Sequence, residues 1–208
     1  TTFPELTAVV GAKLLLLGIL CAVLSICFCT LLHRTEHLLE HHFRNPYLRI
    51  VVTAGILLLF GFLVQSGDYY GIGEGIIQNA IAGKTVWYAF LLKMLFTAVT
   101  IGGGFKGGEI VPSFFIGATF GCLFGQLAGV SPSLCAAVGM MGIFCGVTNC
   151  PVATLFIGAE LFGMESVPYC LLVIAVSYLL SGYYGLYATQ KFATSKFADA
   201  PVHHGTKQ

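Results

Sequence analysis

Charged side chains are scarce in this sequence. Only 9% of its 208 residues are Asp, Glu, Lys or Arg, whereas 57% are hydrophobic and the mean hydropathy is +0.88. Soluble domains carry about 25% charged residues, so the composition excludes an ordinary soluble domain. It favours an all-α, multi-pass protein of the cell membrane whose outer surface contacts lipid.

Several other features that would point to a function are also missing. The net charge is only +1, which argues against a nucleic-acid partner. The eight cysteines lie inside apolar runs without the paired spacing of metal ligands, so we interpret them as small buried side chains and not as disulfides. No residue pattern implies covalent chemistry. We therefore expect no enzyme activity, no cofactor and no metal site.

The apolar runs outline a chain of unequal helices. They predict helices over residues 6–32, 47–64, 86–101, 112–127, 134–147, 151–162, 167–180 and 184–197, and a segment at 76–81 that is too short to span. Several are shorter than the roughly 20 residues of a full span, and Gly and Pro separate them. Such tilted, broken and re-entrant helices are typical of substrate sites in the middle of a membrane.

Basic residues cluster in the 33–49 region and near the C-terminus, so both regions are expected on the cytoplasmic side, with 198–208 as a polar cytoplasmic tail. In the first cluster His33, His37 and His41 follow one another every four residues and would share a helix face. Such a face could bind zinc. A solvated helix end that leaves the membrane is the more usual meaning of this pattern.

The stretch GGGFKGGEIVP, from Gly102 to Pro112, joins a glycine-rich loop to an apolar helix. Pro112 suits the first turn of a helix, and the residues before it have free N–H groups. Gly107 and Gly108 would let those N–H groups approach a ligand, and the helix dipole adds partial positive charge. These features together predict an anion site. A tight, closely packed turn between two helices explains the same residues.

The segment Gly108–Pro112 resembles the GxFxP motif of the CLC family of chloride channels and anion/proton antiporters. NCPVATLFIGAELFG and GLYATQKFATSK follow it in the order found in the C-terminal half of that family. The resemblance extends from about Leu6 to Lys196. It implies that residues 1–197 form the C-terminal inverted-repeat half of a CLC-type transporter, with chloride or fluoride as the transported ligand.

The resemblance also implies roles for individual residues. Backbone N–H groups of the family motif bind the central anion, which here means those of Glu109 and Ile110. The expected anion-binding set is Gly107, Gly108, Glu109, Ile110, Val111 and Tyr187. In the family a tyrosine at the start of the last helix, here Tyr187, donates its hydroxyl to the same anion. Residues 151–180 resemble the helices that pair two subunits, so a homodimer is expected.

Two positions depart from the family motif. Ile110 replaces the usual phenylalanine, and the variable position holds Glu109. This carboxyl could pair with Lys106, point away from the pore, or be protonated and donate a hydrogen bond to the anion. A strong donor favours fluoride, and an acidic residue here resembles the fluoride-exporting branch, which exchanges fluoride for protons. Chloride or another halide remains the alternative anion.

The first-half motifs of the family, such as a GREGP-like segment, do not occur in this sequence. We therefore expect the N-terminal half of the same transporter as a partner. A passive channel is one alternative function. Another is a non-transporting half-protein that serves as a dimerising or scaffold module.

Lys93 is the one charge inside the apolar run FLLKMLF. A lysine at such a position either pairs with a buried carboxylate or faces a water-filled vestibule. The sequence does not identify a partner.

Overall fold

The chain is described from a computed structural model that covers residues 5–64, 69, 71–187, 190–194, 196 and 201–205. Its helices are α1 (Ala8–His42), α2 (Pro46–Val64), α3 (Glu74–Ile81), α4 (Ala89–Gly102), α5 (Ile110–Ala128), α6 (Pro132–Thr148), α7 (Pro151–Phe162) and α8 (Val167–Leu180). A 3₁₀ turn at Met164–Ser166 precedes α8, and strands β1 (Lys191–Thr194) and β2 (Pro201–Gly205) form an antiparallel hairpin. The helical architecture agrees with the predicted all-α class.

Local sequence signals set several helix ends. The Ser131 hydroxyl accepts a hydrogen bond from Leu134 N–H at the start of α6, and Pro132 occupies its first turn. Asn149, with φ of 57°, ends the same helix. Pro151 then opens α7. The predicted helices at 134–147, 151–162 and 167–180 are confirmed to within two residues.

Two of the predicted boundaries differ from the structure. The first helix does not end at residue 32 but continues through the polar stretch to His42. The end of an apolar run shows where polar side chains begin, and a helix can continue through polar residues. Helix α5 begins at Ile110, so Pro112 is its third residue. Proline is tolerated there because N–H groups throughout the first turn lack an acceptor within the helix.

The predicted helix over 184–197 is also wrong. Gly182, with φ of 60°, follows the end of α8, and residues 184–187 have no helical backbone. Strand β1 then pairs with β2, which belongs to the predicted polar tail. Residues 188–189, 195, 197–200 and 206–208 lie outside the described part of the chain, and the domain boundary at residue 197 stays a prediction.

Helix α6 lies at the centre of the helix assembly. Every residue from Leu134 to Thr148 is buried, as expected for a helix that is apolar on all sides. Helix α5 packs antiparallel against it through Gly117, Gly121 and Gly125. An ideal β-carbon on Gly117 would lie 2.6 Å from the Gly139 carbonyl oxygen, so glycine is required for this close approach.

Helices α1 and α8 pack against α6 through small polar side chains. The Ser25 hydroxyl donates to Ile143 O at 3.3 Å, and the Ser177 hydroxyl donates to Gly142 O at 2.7 Å. Lys13, which interrupts the first apolar run, donates its ammonium to Ala128 O at 2.7 Å. It thereby caps the C-terminus of α5, where a positive charge is favourable.

Two helices, α1 and α5, are long and apolar enough to cross a membrane. Five shorter apolar helices accompany them in the described residues. Large apolar side chains are exposed on the outside, among them Val9, Leu58, Phe62, Leu127 and Phe156. Such extensive apolar exposure is a property of surfaces that contact lipid or a partner.

Candidate anion site

The N-terminus of α5 is an uncapped helix end. Its N-cap residue, Glu109, makes no side-chain capping hydrogen bond. The backbone N–H groups of residues 107–111 donate to no acceptor in the described part of the chain. Pro112 has no N–H at all. Five consecutive donors are therefore available at the positive end of the helix dipole.

The glycine-rich loop before α5 divides into two parts with different environments. A β-carbon on Gly102 would lie 3.0 Å from Thr35 of α1, and one on Gly103 would collide with Thr53 of α2. Gly107 and Gly108 are exposed, and a β-carbon on either would meet no described atom within 4 Å. The first part thus serves close helix packing, whereas the second leaves its backbone accessible.

A cavity of about 300 Å³ opens between α4 and this loop. Residues before α3, on α4, in the loop and in the first turn of α5 form its wall: Tyr69, Gly71, Ile72, Lys93, Phe96, Thr97, Thr100, Ile101, Gly107, Gly108, Val111 and Pro112. Three of the six expected anion-binding residues therefore line one cavity. Glu109, Ile110 and Tyr187 are not part of its wall.

The Glu109 carboxyl is partly buried, and its Oε2 atom is buried without a hydrogen-bond partner. Burial raises the pKa of this carboxyl above its ordinary value. The imidazole of His33 opposes the rise, and the carboxylate of Glu36 adds to it. The site therefore favours a neutral Glu109 more than an exposed position would.

The alternative in which Glu109 pairs with Lys106 is contradicted. Among the described residues the single ion pair joins Arg49 Nη1 to Glu40 Oε1 at 2.9 Å. Lys106 is exposed and makes no bond to the carboxyl. The three-residue spacing would bring the two side chains together on a helix, but Lys106 lies in the loop before α5 begins.

Tyr187 follows a segment that is fixed to the C-terminal end of α6. Leu186 N–H donates to Val147 O at 3.0 Å, and the Asn149 side-chain amide donates to Tyr184 O at 2.7 Å. Tyr187 itself is 45% exposed and does not begin a helix. Hydrogen bonds to the C-terminal end of α6 hold the segment before Tyr187. The resemblance had implied that Tyr187 would begin the last helix.

Sequence reasoning missed two side chains that organise this region. His33 Nε2 bonds Gly185 O at 3.0 Å, and its imidazole also acts electrostatically on Glu109. Lys196 donates to Asn149 Oδ1 and to Tyr178 O. The signal in the sequence that could have identified His33 and Lys196 is that both are polar residues in a largely apolar chain. No group of three or more metal-ligating side chains occurs in the described ranges.

Two known proteins that resemble the chain are a channel protein and an exchange transporter. One is the chloride/fluoride channel protein of Pseudomonas syringae pv. tomato, which is 32% identical over 86% of this chain and 41% of its own length. Another is the H(+)/Cl(-) exchange transporter ClcA of Yersinia pestis, 24% identical over 71% of this chain and 34% of its own length. The chain thus spans less than half the length of these relatives.

A solved structure supports the same relationship. The crystal structure of a CLC-type fluoride/proton antiporter matches with a TM-score of 0.86 and 33% identity, over 90% of this chain and 48% of the antiporter chain. The family model described as voltage gated chloride channel matches residues 6–182. The chain therefore belongs to the CLC family of voltage gated chloride channels.

Proposed function

We propose that the chain is the C-terminal half of a CLC-type membrane transporter that exchanges fluoride for protons. The observation that carries this proposal is the row of five unpaired backbone N–H groups at residues 107–111, next to a partly buried glutamate with an unpartnered oxygen. Transport of this kind makes and breaks no covalent bond, and it needs no cofactor.

The backbone donors suit a transported anion. In this proposal the N–H groups of Glu109 and Ile110 bind the central anion, and Gly107, Gly108 and Val111 complete the surrounding backbone. Partial charges from N–H groups and a helix dipole attract an anion. They also hold it more weakly than a buried lysine or arginine would, which allows it to leave again.

The Glu109 carboxyl favours fluoride as the anion. An ionised carboxylate beside the site would repel any anion, but burial favours its neutral form. A neutral carboxyl donates a hydrogen bond, and fluoride accepts hydrogen bonds more strongly than chloride does. The names of two similar proteins, a chloride/fluoride channel and a fluoride/proton antiporter, agree with this choice.

The same carboxyl offers a way to couple anion and proton movement. In this proposal Glu109 takes its proton from the side to which the anion is released, holds it while the anion is bound, and gives it up to the opposite side. Loss of the proton makes the site unfavourable for the anion, so anion and proton move in opposite directions. The Tyr187 hydroxyl supplies a further donor to the central anion. His33 bonds Gly185 O and acts electrostatically on the Glu109 carboxyl.

A second subunit and a first half complete the transporter. An apolar groove of about 310 Å³ runs between α7 and α8 and contains Val152, Leu155, Leu171 and Leu179. Several apolar side chains on these helices are exposed, including Phe156 at 71%. This surface fits the expected homodimer through residues 151–180. The remaining pore wall comes from the N-terminal half, and the C-terminus faces the cytoplasm.

Efflux from liposomes that contain the full-length protein tests the function, with fluoride and chloride electrodes read in parallel and pH recorded. Fluoride efflux with protons moving in the opposite direction is the expected result. Efflux without proton movement would identify a passive channel. No efflux of either anion would identify a non-transporting membrane module.

A further inference from the structure

Lys93 of α4 is a buried cation without a carboxylate partner among the described residues. Its side chain is almost fully enclosed, since the residue is only 3% exposed. The ammonium donates to Gly71 O at 2.5 Å and to Tyr69 O at 3.3 Å, and it lies 5.0 Å from the centre of the Phe115 ring. Carbonyl dipoles and an aromatic face stabilise the ammonium but leave its net charge in place.

This ammonium has capacity for one more acceptor. A lysine ammonium has three N–H donors, and two of them are used by the backbone carbonyls. Lys93 also lines the cavity of about 300 Å³ next to the glycine loop. An acceptor inside that cavity could therefore take the third donor.

The cavity wall contains a second buried donor. Thr97 lies one helical turn after Lys93 on α4, is 7% exposed, and its hydroxyl has no hydrogen-bond partner in the described ranges. Thr100, on the same wall, differs because its hydroxyl already donates to Phe96 O at 2.6 Å. The accessible backbone of Gly107 and Gly108 also lines this cavity.

We propose that this cavity is a second anion subsite, which binds a small monovalent inorganic anion between Lys93, Thr97 and the Gly107–Gly108 backbone. The proposal rests on the function proposed above, because it gives the central site at Glu109 and Ile110 an adjoining place from which it is filled. Its two side chains, Lys93 and Thr97, are not part of the central site. A cation is excluded as the occupant by the uncompensated charge of Lys93.

Bromide binding to crystals of the full-length protein tests the subsite directly, because bromide scatters anomalously. We expect a peak within hydrogen-bond distance of Lys93 Nζ and Thr97 Oγ1. Calorimetric titration with fluoride supplies the affinity. Lys93→Met should weaken the binding of one anion by about tenfold, the size expected for one charged hydrogen bond. Thr97→Val should weaken the binding of the same anion a few-fold.

Thr100→Val is the matched control, because it replaces a threonine on the same cavity wall whose hydroxyl proton is already committed to Phe96 O. It should bind anions like the wild type. Lys93→Met removes the donor to the Tyr69 and Gly71 carbonyls. If this variant does not fold for that reason, the comparison of anion affinity between Thr97→Val and Thr100→Val tests the subsite. Equal affinity of these two variants, with no bromide peak in the cavity, overturns the proposal.

The same crystals separate this proposal from the proposed function. A peak at Lys93, together with fluoride titrations that show a single binding event which is weakened in Lys93→Met, would keep the subsite and reject the central site. A peak at the central site alone would reject the subsite. Peaks at both, with only the cavity peak lost in Lys93→Met, support the two proposals together.

Discussion

The backbones of Gly121 and Cys135 touch where α5 crosses α6. A β-carbon on Gly121 would collide with the Cys135 carbonyl oxygen, and Gly117 and Gly125, one turn away on either side, make similarly close approaches to α6. Small residues at this spacing allow two helices to pack at backbone contact. The contact matters for the site because α5 presents residues 107–111 at its N-terminus, while α6 anchors the Tyr187 segment at its C-terminus.

Gly121→Ala should therefore destabilise the protein. The added methyl group cannot be accommodated without moving α5 from α6, and overpacking of this kind costs about 1–3 kcal/mol or more. Thermal unfolding in detergent measures the effect. Gly11→Ala is the control, since no described atom lies within 4 Å of its would-be β-carbon, and alanine is the better helix former. Equal melting temperatures for the two variants would contradict the packing argument.

Anion binding should weaken as the pH rises. Because burial raises the pKa of Glu109, its neutral form persists to a higher pH than the ordinary glutamate value of about 4.3. Above the raised value the carboxylate repels the anion. Fluoride titrations at a series of pH values should show this loss in the wild type. Glu109→Gln, which cannot ionise, should give a flatter profile, and identical profiles would remove Glu109 from the pH response.

Tyr187→Phe should lower anion affinity by about tenfold, because it removes one hydroxyl donor to a charged ligand. The change keeps the ring and so leaves the packing of the 184–187 segment intact. Tyr47→Phe is the control, since Tyr47 is 80% exposed at the start of α2. Fluoride calorimetry distinguishes the two. If both variants bind like the wild type, Tyr187 is not an anion ligand.

Lys196 gives the fold a measurable dependence on alkaline pH. Burial lowers the pKa of Lys196 to about 8, whereas an unfolded chain keeps the ordinary value of about 10.4. Between these values the unfolded state binds more protons, so the free energy of unfolding rises with pH. Below about 8 both states are charged and the burial cost is fully present.

The melting temperature of the wild type should therefore rise relative to that of Lys196→Met between pH 8 and about 10.4. Lys84→Met, which removes an exposed lysine, should show no such change relative to the wild type. A constant difference between wild type and Lys196→Met across this window would show that burial does not perturb Lys196.

Local signals in the sequence predicted the elements whose ends carry a cap or a proline. The Ser131–Pro132 start of α6 and the Pro151 start of α7 are examples, because these residues satisfy or avoid the free N–H groups of a first turn. The end of α1 at His42 was not predictable in this way. Its last turns are polar and helical at once, so the end of the apolar run does not mark the end of the helix.

Contacts between distant segments could not be read from the sequence. Lys93 finds its acceptors at Tyr69 and Gly71, more than twenty positions earlier, and His33 meets Gly185 across the fold. The residues around 184–197 have no strong helix or strand pattern of their own. Pairing with β2 decides that β1 is a strand.

The ratio of fluoride to chloride efflux in Glu109→Gln, measured beside the wild type in liposomes, tests the central claim most directly. We expect the wild type to release fluoride much faster than chloride, with protons moving the other way, because a neutral Glu109 carboxyl donates to fluoride. Glu109→Gln should lower this ratio and uncouple the protons. An unchanged ratio with coupled protons would contradict the claim that this carboxyl selects the anion.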